Sequence, residues 1–362
     1  MNDDNRRVAF ITSGRSDLAL LAPLLRGLKN HPTIEPWVVA TGAHMTKLWG
    51  KTIQDIETVN DRVDILMQSN NRVSVANAIG LGVIKFSELF VKRHLKLLFL
   101  IGDRFEMMAA AVAAHCLNIP MAHAYGGERT RASQDDGWRN CMSMLARYHL
   151  TAHEEYTKRL REMAPGCDAW TVGSLSVDAI KGMTLMSRAD LSQRFKLPMK
   201  RYAVVTYHPE TTKGRDENIA DFQQVLAAID AWPELDYIFT FANQDAVGVE
   251  FNRMVLEFKG THRNVKYVRH AGVDTYLSLM KYADVVIGNS SSGIMEAPYF
   301  GTPTVNIGRR QHGRIMAPSI THCEARAEQI TEALRKVKRC EPCGQYGDGA
   351  VGNIIEALRR IV

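Results

Sequence analysis

Val285-Val286-Ile287-Gly288-Asn289-Ser290-Ser291-Ser292-Gly293-Ile294-Met295-Glu296 holds a complete building block. Its apolar, β-branched opening reads as a short buried strand. Asn-Ser-Ser-Ser-Gly supplies residues that end a strand and start a helix. A helix is then expected over Ile294–Tyr299. Strand, small polar turn and helix form the repeating unit of a parallel, doubly wound sheet.

The same unit recurs outward in both directions. Upstream, strands are expected at Tyr202–Tyr207, Tyr237–Thr240 and Val265–Arg269, with helices at Asn218–Ala231, Gln244–Phe258 and Asp274–Lys281. Downstream come a strand at Thr304–Ile307 and two closing helices. A polar stretch around Lys181–Lys200 precedes this half. Before it lie strands Val8–Thr12, Pro36–Ala40, Leu97–Ile101 and Met121–Ala124 and helices Leu18–Leu28 and Glu106–Leu117. The fold class is therefore α/β, with two Rossmann-like domains: 1–185, expected to carry catalytic acids, and 186–362, with its last helix packing back on the first. Ligands of such folds bind outside the carboxyl ends of the strands, which points to a cleft between the domains.

Composition narrows the function. The 362 residues are 46% hydrophobic and 23% charged, a globular balance. Net charge is +6, but the basic residues are dispersed and aromatics are only 8%, which favours a small anionic ligand over nucleic acid. No uninterrupted apolar run approaches the roughly 18 residues of a membrane span, and Met1–Arg7 lacks the form of a signal peptide. A cytoplasmic protein without a membrane partner is expected. Six scattered cysteines do not suggest a disulfide framework. Cys340-x-x-Cys343 with His322-Cys323 is poor evidence for zinc, and neither a metal nor a cofactor is required.

Candidate site residues fall at strand ends. Ser290, Ser291 and Ser292 offer hydroxyls and helix N-terminal N–H groups to a phosphate, with a plain serine cap as the alternative. Glu296 follows on the same helix, where it could reach a ribose or sit in solvent. Arg15 in Ser13-Gly14-Arg15 suits a diphosphate or a surface ion pair. Arg310 lies in a second basic cluster after the last strand. Asp103, Glu128 and Asp136 could divide acid and base roles if a cleft separates their proton affinities. Asp103 could instead cap the following helix, and Asp136 could serve a helix dipole. His208 ends the strand Tyr202–Tyr207.

Together these segments resemble the hydrolysing UDP-N-acetylglucosamine 2-epimerases of sialic- and legionaminic-acid pathways. The resemblance rests on Thr12-Ser13-Gly14-Arg15-Ser16-Asp17, Gly102-Asp103-Arg104-Phe105-Glu106, Gly126-Gly127-Glu128, Asp135-Asp136, Thr206-Tyr207-His208-Pro209, Gly288 to Pro298, Gly301 to Gly308 and Tyr346-Gly347-Asp348-Gly349. It implies a glycosyltransferase-B-like fold and elimination of UDP to a 2-acetamidoglycal, followed by hydration to a free N-acetylmannosamine-type sugar. Asp103, Glu128, Asp136 and His208 match the family's catalytic positions. Glu296 matches its ribose-binding glutamate, and Arg15, Arg104, Arg310 and the serines would steady the departing diphosphate. A homo-oligomer is also implied.

Three departures fall beside the acids. Tyr125 stands where the family usually has histidine, Thr130-Arg131-Ala132 replaces Thr-Glu-Gly, and Asn140 follows Arg139 in place of histidine. They keep open the reading of a UDP-sugar binding protein with impaired catalysis, and the shared architecture keeps open that of a UDP-sugar glycosyltransferase of the same fold.

Overall fold

The computed structural model describes residues 6–46, 52–65, 72–131, 133–195, 201–242, 247–268 and 272–362. They form two compact units. The first comprises Met1–Glu128, Asp135–Gly182 and Tyr346–Val362; the second comprises Arg129–Gln134 and Met183–Gln345.

The first unit is built on seven strands: β1 (Arg7–Thr12), β2 (Glu35–Thr41), β3 (Asp61–Val63), β4 (Leu97–Ile101), β5 (Met121–Ala124), β6 (Tyr148–Thr151) and β7 (Asp168–Thr171). Their order is β3-β2-β1-β4-β5-β6-β7, and every pairing is parallel. Helices cover both faces of such a sheet, so its central strands must be apolar throughout. β4, Leu-Leu-Phe-Leu-Ile, is buried at all five positions. Phe10 and Phe99 pack with ring centroids 4.9 Å apart across the β1–β4 pair, where the strand order reverses.

The last helix, Ala350–Ile361, belongs to this unit. The Asp178 carboxylate accepts from the backbone N–H groups of Gly349 (2.8 Å) and Val351 (2.7 Å), satisfying donors the helix cannot use itself. Helix Arg72–Arg93 also lies here, in a stretch for which the sequence patterns give no element. Apolar residues spread around much of its circumference and blur the helical period. Despite the broken apolar run, this helix is long and apolar enough by length and composition to cross a membrane. Ala78, Phe86 and Phe90 nevertheless bury one of its faces in the unit.

The second unit holds β8 (Tyr202–Thr206), β9 (Asp236–Thr240), β10 (Val265–Val268), β11 (Val285–Gly288), β12 (Thr304–Ile307) and β13 (Ile320–Cys323). Their order is β10-β9-β8-β11-β12-β13, again all parallel. Phe222 and Phe251 stack at 4.4 Å on one face and anchor its core. Two sequence expectations, the start of a helix at Gln244 and Arg269 at a strand end, lie outside the described residues. The observed helix is Gly248–Thr261. The expected helix over Ile294–Tyr299 is replaced by a single α-turn, Ser292–Met295, and a 3-10 turn, Ala297–Phe300. Pro298 cannot donate the backbone hydrogen bond that a continuing α-helix needs.

Candidate functional site

Each sheet has one switch point, between β1 and β4 and between β8 and β11, where loops diverge and leave room for a ligand. In the first unit the loop after β1 is folded around Asp17. Its carboxylate accepts from Thr12 Oγ1 (2.9 Å), Ser13 N (2.8 Å), Ser13 Oγ (2.7 Å) and Gly14 N (3.0 Å). Since the Thr12 hydroxyl donates to Asp17, its oxygen accepts from His44 Nε2 at 2.9 Å, leaving Nδ1 to accept from Thr52 Oγ1 at 2.7 Å. Burial lowers the His44 pKa, favouring the neutral tautomer this chain of bonds requires. Asp17 and His44 are support residues that sequence reading missed. Arg15 lies on the exposed start of the next helix, its Nε 3.3 Å from Asp55 Oδ2. The surface ion pair is thus the arrangement observed.

The loop after β4 carries Asp103 and Arg104. Helix Phe105–Cys116 begins with Arg104 as its N-cap residue, so Asp103 does not cap it. Arg104 instead forms two bonds to the fully buried Glu106, Nε to Oε2 at 3.1 Å and Nη2 to Oε1 at 2.7 Å. The Glu106 charge outweighs desolvation and raises the Arg104 pKa.

Asp103 turns to Arg139, the organising side chain of this unit and one that the sequence reading left out of the site. Only 1% exposed, Arg139 donates through Nη2 to Asp103 and through Nη1 to Asp136 Oδ1 (2.9 Å) and the Glu128 carbonyl (3.3 Å). One guanidinium thereby gathers two candidate acids and the backbone of the third. Arg159 adds bonds to the carbonyls of Gly127 (2.8 Å) and Glu128 (2.7 Å). Gly127 has φ +79°, and a Cβ there would lie 2.5 Å from the Tyr156 carbonyl oxygen. A side chain is excluded, and the backbone bends toward the arginines.

The departures from the family pattern have defined places. Tyr125 adopts φ +65°, a strained region for an aromatic residue, and its hydroxyl lies 3.3 Å from both Ser174 Oγ and Ser176 N. Asn140 donates to Asp136 Oδ2 (3.4 Å) and accepts from Arg159 (3.1 Å), coupling the two arginine groups. Arg131, in the second unit, donates its backbone N–H to His312. Ala132 lies outside the described residues.

Beneath the acids, His123 and His149 face each other on β5 and β6. His123 Nε2 donates to the Gly102 carbonyl at 2.8 Å. Burial pushes both imidazoles down to about 4, keeping them neutral at pH 7.

In the second unit, Asn289 joins the ends of β8 and β11. It accepts from His208 N at 2.7 Å and returns a bond to His208 O at 2.8 Å. Arg310 Nη1 (3.2 Å) and Gln311 Nε2 (2.9 Å) donate to the Asn289 carbonyl. Glu210 accepts from the backbone of Arg309 (2.6 Å) and Arg310 (3.2 Å), fixing the loop after β12. Burial, with the nearby Arg310 charge, lowers the His208 pKa well below its usual value. This histidine is neutral at pH 7 and can exchange a proton without first losing one.

The serine turn forms a hydroxyl network. Ser292 Oγ lies 2.9 Å from Ser290 Oγ and 2.6 Å from Tyr276 OH, which also reaches Thr206 Oγ1 at 3.2 Å. Ser291 is the N-cap of the four-residue turn, and Glu296 follows at its C-cap. So short a turn gives a weaker dipole than the expected helix, leaving hydroxyls and backbone N–H groups as its means of holding an anion. Tyr276, Asn289 and Glu210 were missed in the sequence, although Asn289 adjoins the serine run. Among the described residues no three His, Cys, Asp or Glu side chains are grouped to hold a metal ion. Cys323 lies within β13, and burial pushes its thiol up to about 12.

The family profile described as UDP-N-acetylglucosamine 2-epimerase matches residues 26–359. The chain belongs to this family. It is 31% identical over 343 residues to the GDP/UDP-N,N'-diacetylbacillosamine 2-epimerase (hydrolyzing) of Campylobacter jejuni, covering 93% of this chain and 88% of that one. It is 30% identical to the polysialic acid biosynthesis protein P7 of Escherichia coli, covering 91% and 85%. The crystal structure of the Neisseria meningitidis UDP-GlcNAc 2-epimerase bound to UDP-GlcNAc matches with a TM-score of 0.81 and 17% identity, over 98% of this chain and 100% of that one. That last likeness is one of fold. Two parallel-sheet α/β units of this kind constitute the glycosyltransferase-B-like fold.

Proposed function

We propose that this 2-epimerase family member is a hydrolysing enzyme acting on UDP-N-acetylglucosamine or a related UDP-acetamido sugar. The observation that carries this reading is the Arg139 cluster, which holds Asp103, Asp136 and the Glu128 backbone at one switch point. The substrate C2–H is a poor acid, so deprotonation needs departure of UDP from C1 at the same time. Carboxylates accept the C2 proton, the C1–O bond breaks with its electrons leaving on the diphosphate, and a C1=C2 bond forms. Water then adds across that bond: hydroxide to C1, a proton to the opposite face of C2. The products are UDP and a free sugar of mannosamine configuration, and one water is consumed.

Asp103, Glu128 and Asp136 carry the proton transfers, with His208 as a neutral partner. Ser290, Ser291, Ser292 and Arg310 receive the developing charge on UDP, and Glu296 takes the ribose. Arg15 can leave its exposed pair with Asp55, worth at most about 1 kcal/mol, to reach a phosphate. Arg104, fixed by Glu106, contributes its charge in place. No metal or cofactor takes part. The free sugar feeds sialic- or legionaminic-acid synthesis in the cytoplasm, and the working form is a homo-oligomer.

Incubation with UDP-N-acetylglucosamine and no acceptor tests the reading. Release of UDP with an equal amount of free N-acetylmannosamine supports it. Turnover only with an added sugar acceptor identifies a glycosyltransferase. UDP binding without product from any UDP-acetamido sugar identifies a binding protein.

A further inference from the structure

A cavity of about 760 Å³ opens in the second unit, its walls all drawn from Met183–Gln345. Arg201, Leu235 and Asp284 line it from positions just before β8, β9 and β11. It therefore lies at the amino ends of a parallel sheet whose carboxyl ends carry the serine turn. About 13 Å of β11 separates the two. Leu235, Ala283, Val285 and Leu334 are buried and give the cavity an apolar floor. Trp232, Tyr282, Tyr299 and Phe300 add four aromatic rings. The size is that of a small-molecule site.

Its charge is one-sided. Arg188, Arg201, Lys281, Lys338 and Arg339 line it against a single carboxylate among the described residues, Asp284. That carboxylate is already engaged: one oxygen accepts from Arg201 Nε at 3.2 Å and the other from Tyr202 N at 3.0 Å. Arg339 is fixed by carbonyls and not by an acid. Its Nη1 donates to Ala283 O (2.8 Å), and its Nη2 to Lys281 O (2.6 Å) and Phe300 O (3.0 Å). Lys281 Nζ lies over the Tyr282 ring, 5.2 Å from its centroid. Excess cations beside aromatic walls suit a ligand that carries a phosphate and a flat ring. A lone carboxylate would leave most of this charge unanswered, and an apolar compound all of it.

One wall leads to the phosphate site. From the serine turn the chain runs through Glu296 into the 3-10 turn Ala297–Phe300, where Tyr299 N donates to Glu296 O at 3.1 Å. Tyr299 and Phe300 then enter the cavity. We propose that the cavity is a second nucleotide site, where a nucleoside phosphate acts through this segment as an effector of the UDP site. Binding there is independent of the reaction assigned above, and only the coupling rests on that reading.

Equilibrium dialysis of the full chain with the 5'-monophosphates of adenosine, cytidine and guanosine, each with UDP in excess, tests it. At least one should bind once per chain and not be displaced by UDP. Lys281→Glu and Lys338→Glu should each weaken it at least about tenfold, the loss of one charge-assisted contact, and leave turnover without the nucleotide unchanged. Ser290→Ala with Ser291→Ala should leave it bound. The bound nucleotide should change UDP affinity at least about fivefold, and Lys338→Glu should abolish that change. Failure of all three to bind overturns the proposal, as does binding that survives both lysine variants or is lost in the double serine variant. Inorganic phosphate held as tightly as the nucleotides would reassign the cavity to a bare anion, and a bound nucleotide without effect on UDP affinity would remove the effector role. Dialysis reads the cavity directly, so a chain that turns over no UDP-sugar fails the preceding proposal and not this one.

Discussion

Replacing Arg139 with methionine removes the cation that holds the candidate acids while keeping most of the side-chain volume. The structure sets the size of the effect. Two charge-assisted bonds are lost, to Asp103 and to Asp136, each worth about 1.5–3 kcal/mol, together with a longer bond to the Glu128 carbonyl. The orphaned carboxylates are 26% and 20% exposed and can turn to water, so the loss falls short of the full sum. A destabilisation of about 3 kcal/mol follows, lowering the melting temperature of a unit this size by roughly 6–12 °C. Turnover suffers separately: displacing an acid by about 1 Å costs roughly a hundredfold in rate. Arg139→Lys restores a charge but not the planar fork that spans three acceptors, so it should recover part of the melting temperature and little of the turnover. Scanning calorimetry and UDP release measure the two effects. Turnover of Arg139→Met within threefold of the parent would refute the assignment of Arg139 as the residue that positions the acids.

Acid should destabilise the first unit through His123 and His149. Their folded values near 4 lie below the usual 6.5, so between these limits the unfolded chain binds protons that the folded chain does not. This stabilisation is complete above about pH 6.5 and lost toward pH 4, by roughly 3 kcal/mol per imidazole, and His149→Leu should halve the loss; an unchanged acid profile in that variant contradicts the account. Asp103→Asn should abolish turnover with UDP affinity within about threefold, whereas a large loss of UDP binding would move Asp103 out of the acid–base set. Ser290→Ala with Ser291→Ala should weaken UDP binding by a few kcal/mol at most, and unchanged titration calorimetry would remove the serine turn from the phosphate site.

What the sequence shows of this fold depends on how each segment satisfies its burial. Leu97–Ile101 and Val285–Gly288 end where their apolar runs end, and both sheets are built outward from them. Tyr148–Thr151 carries His149 in a fully buried position, so a central strand looked polar. Asp61–Val63 is too short for any period to show. The site divides the same way. Asp103, His208 and Ser290 stand at strand ends, which topology alone makes suspect. Arg139 sits mid-helix in a polar run and reads as a solvated residue until Asp103, from a distant loop, is brought against it. The partners of Arg15 and Arg104 were hidden for different reasons: Asp55 is remote in the chain, and Glu106 looked like an ordinary first-turn carboxylate.

Carrying out the reaction in D2O is the most direct test of the central claim that C2 deprotonation accompanies departure of UDP. With UDP-N-acetylglucosamine as the only sugar, the account predicts free N-acetylmannosamine carrying one deuterium at C2, released in step with UDP. Free sugar that keeps its C2 hydrogen and the glucosamine configuration would contradict it, because simple hydrolysis at C1 would then account for the release of UDP.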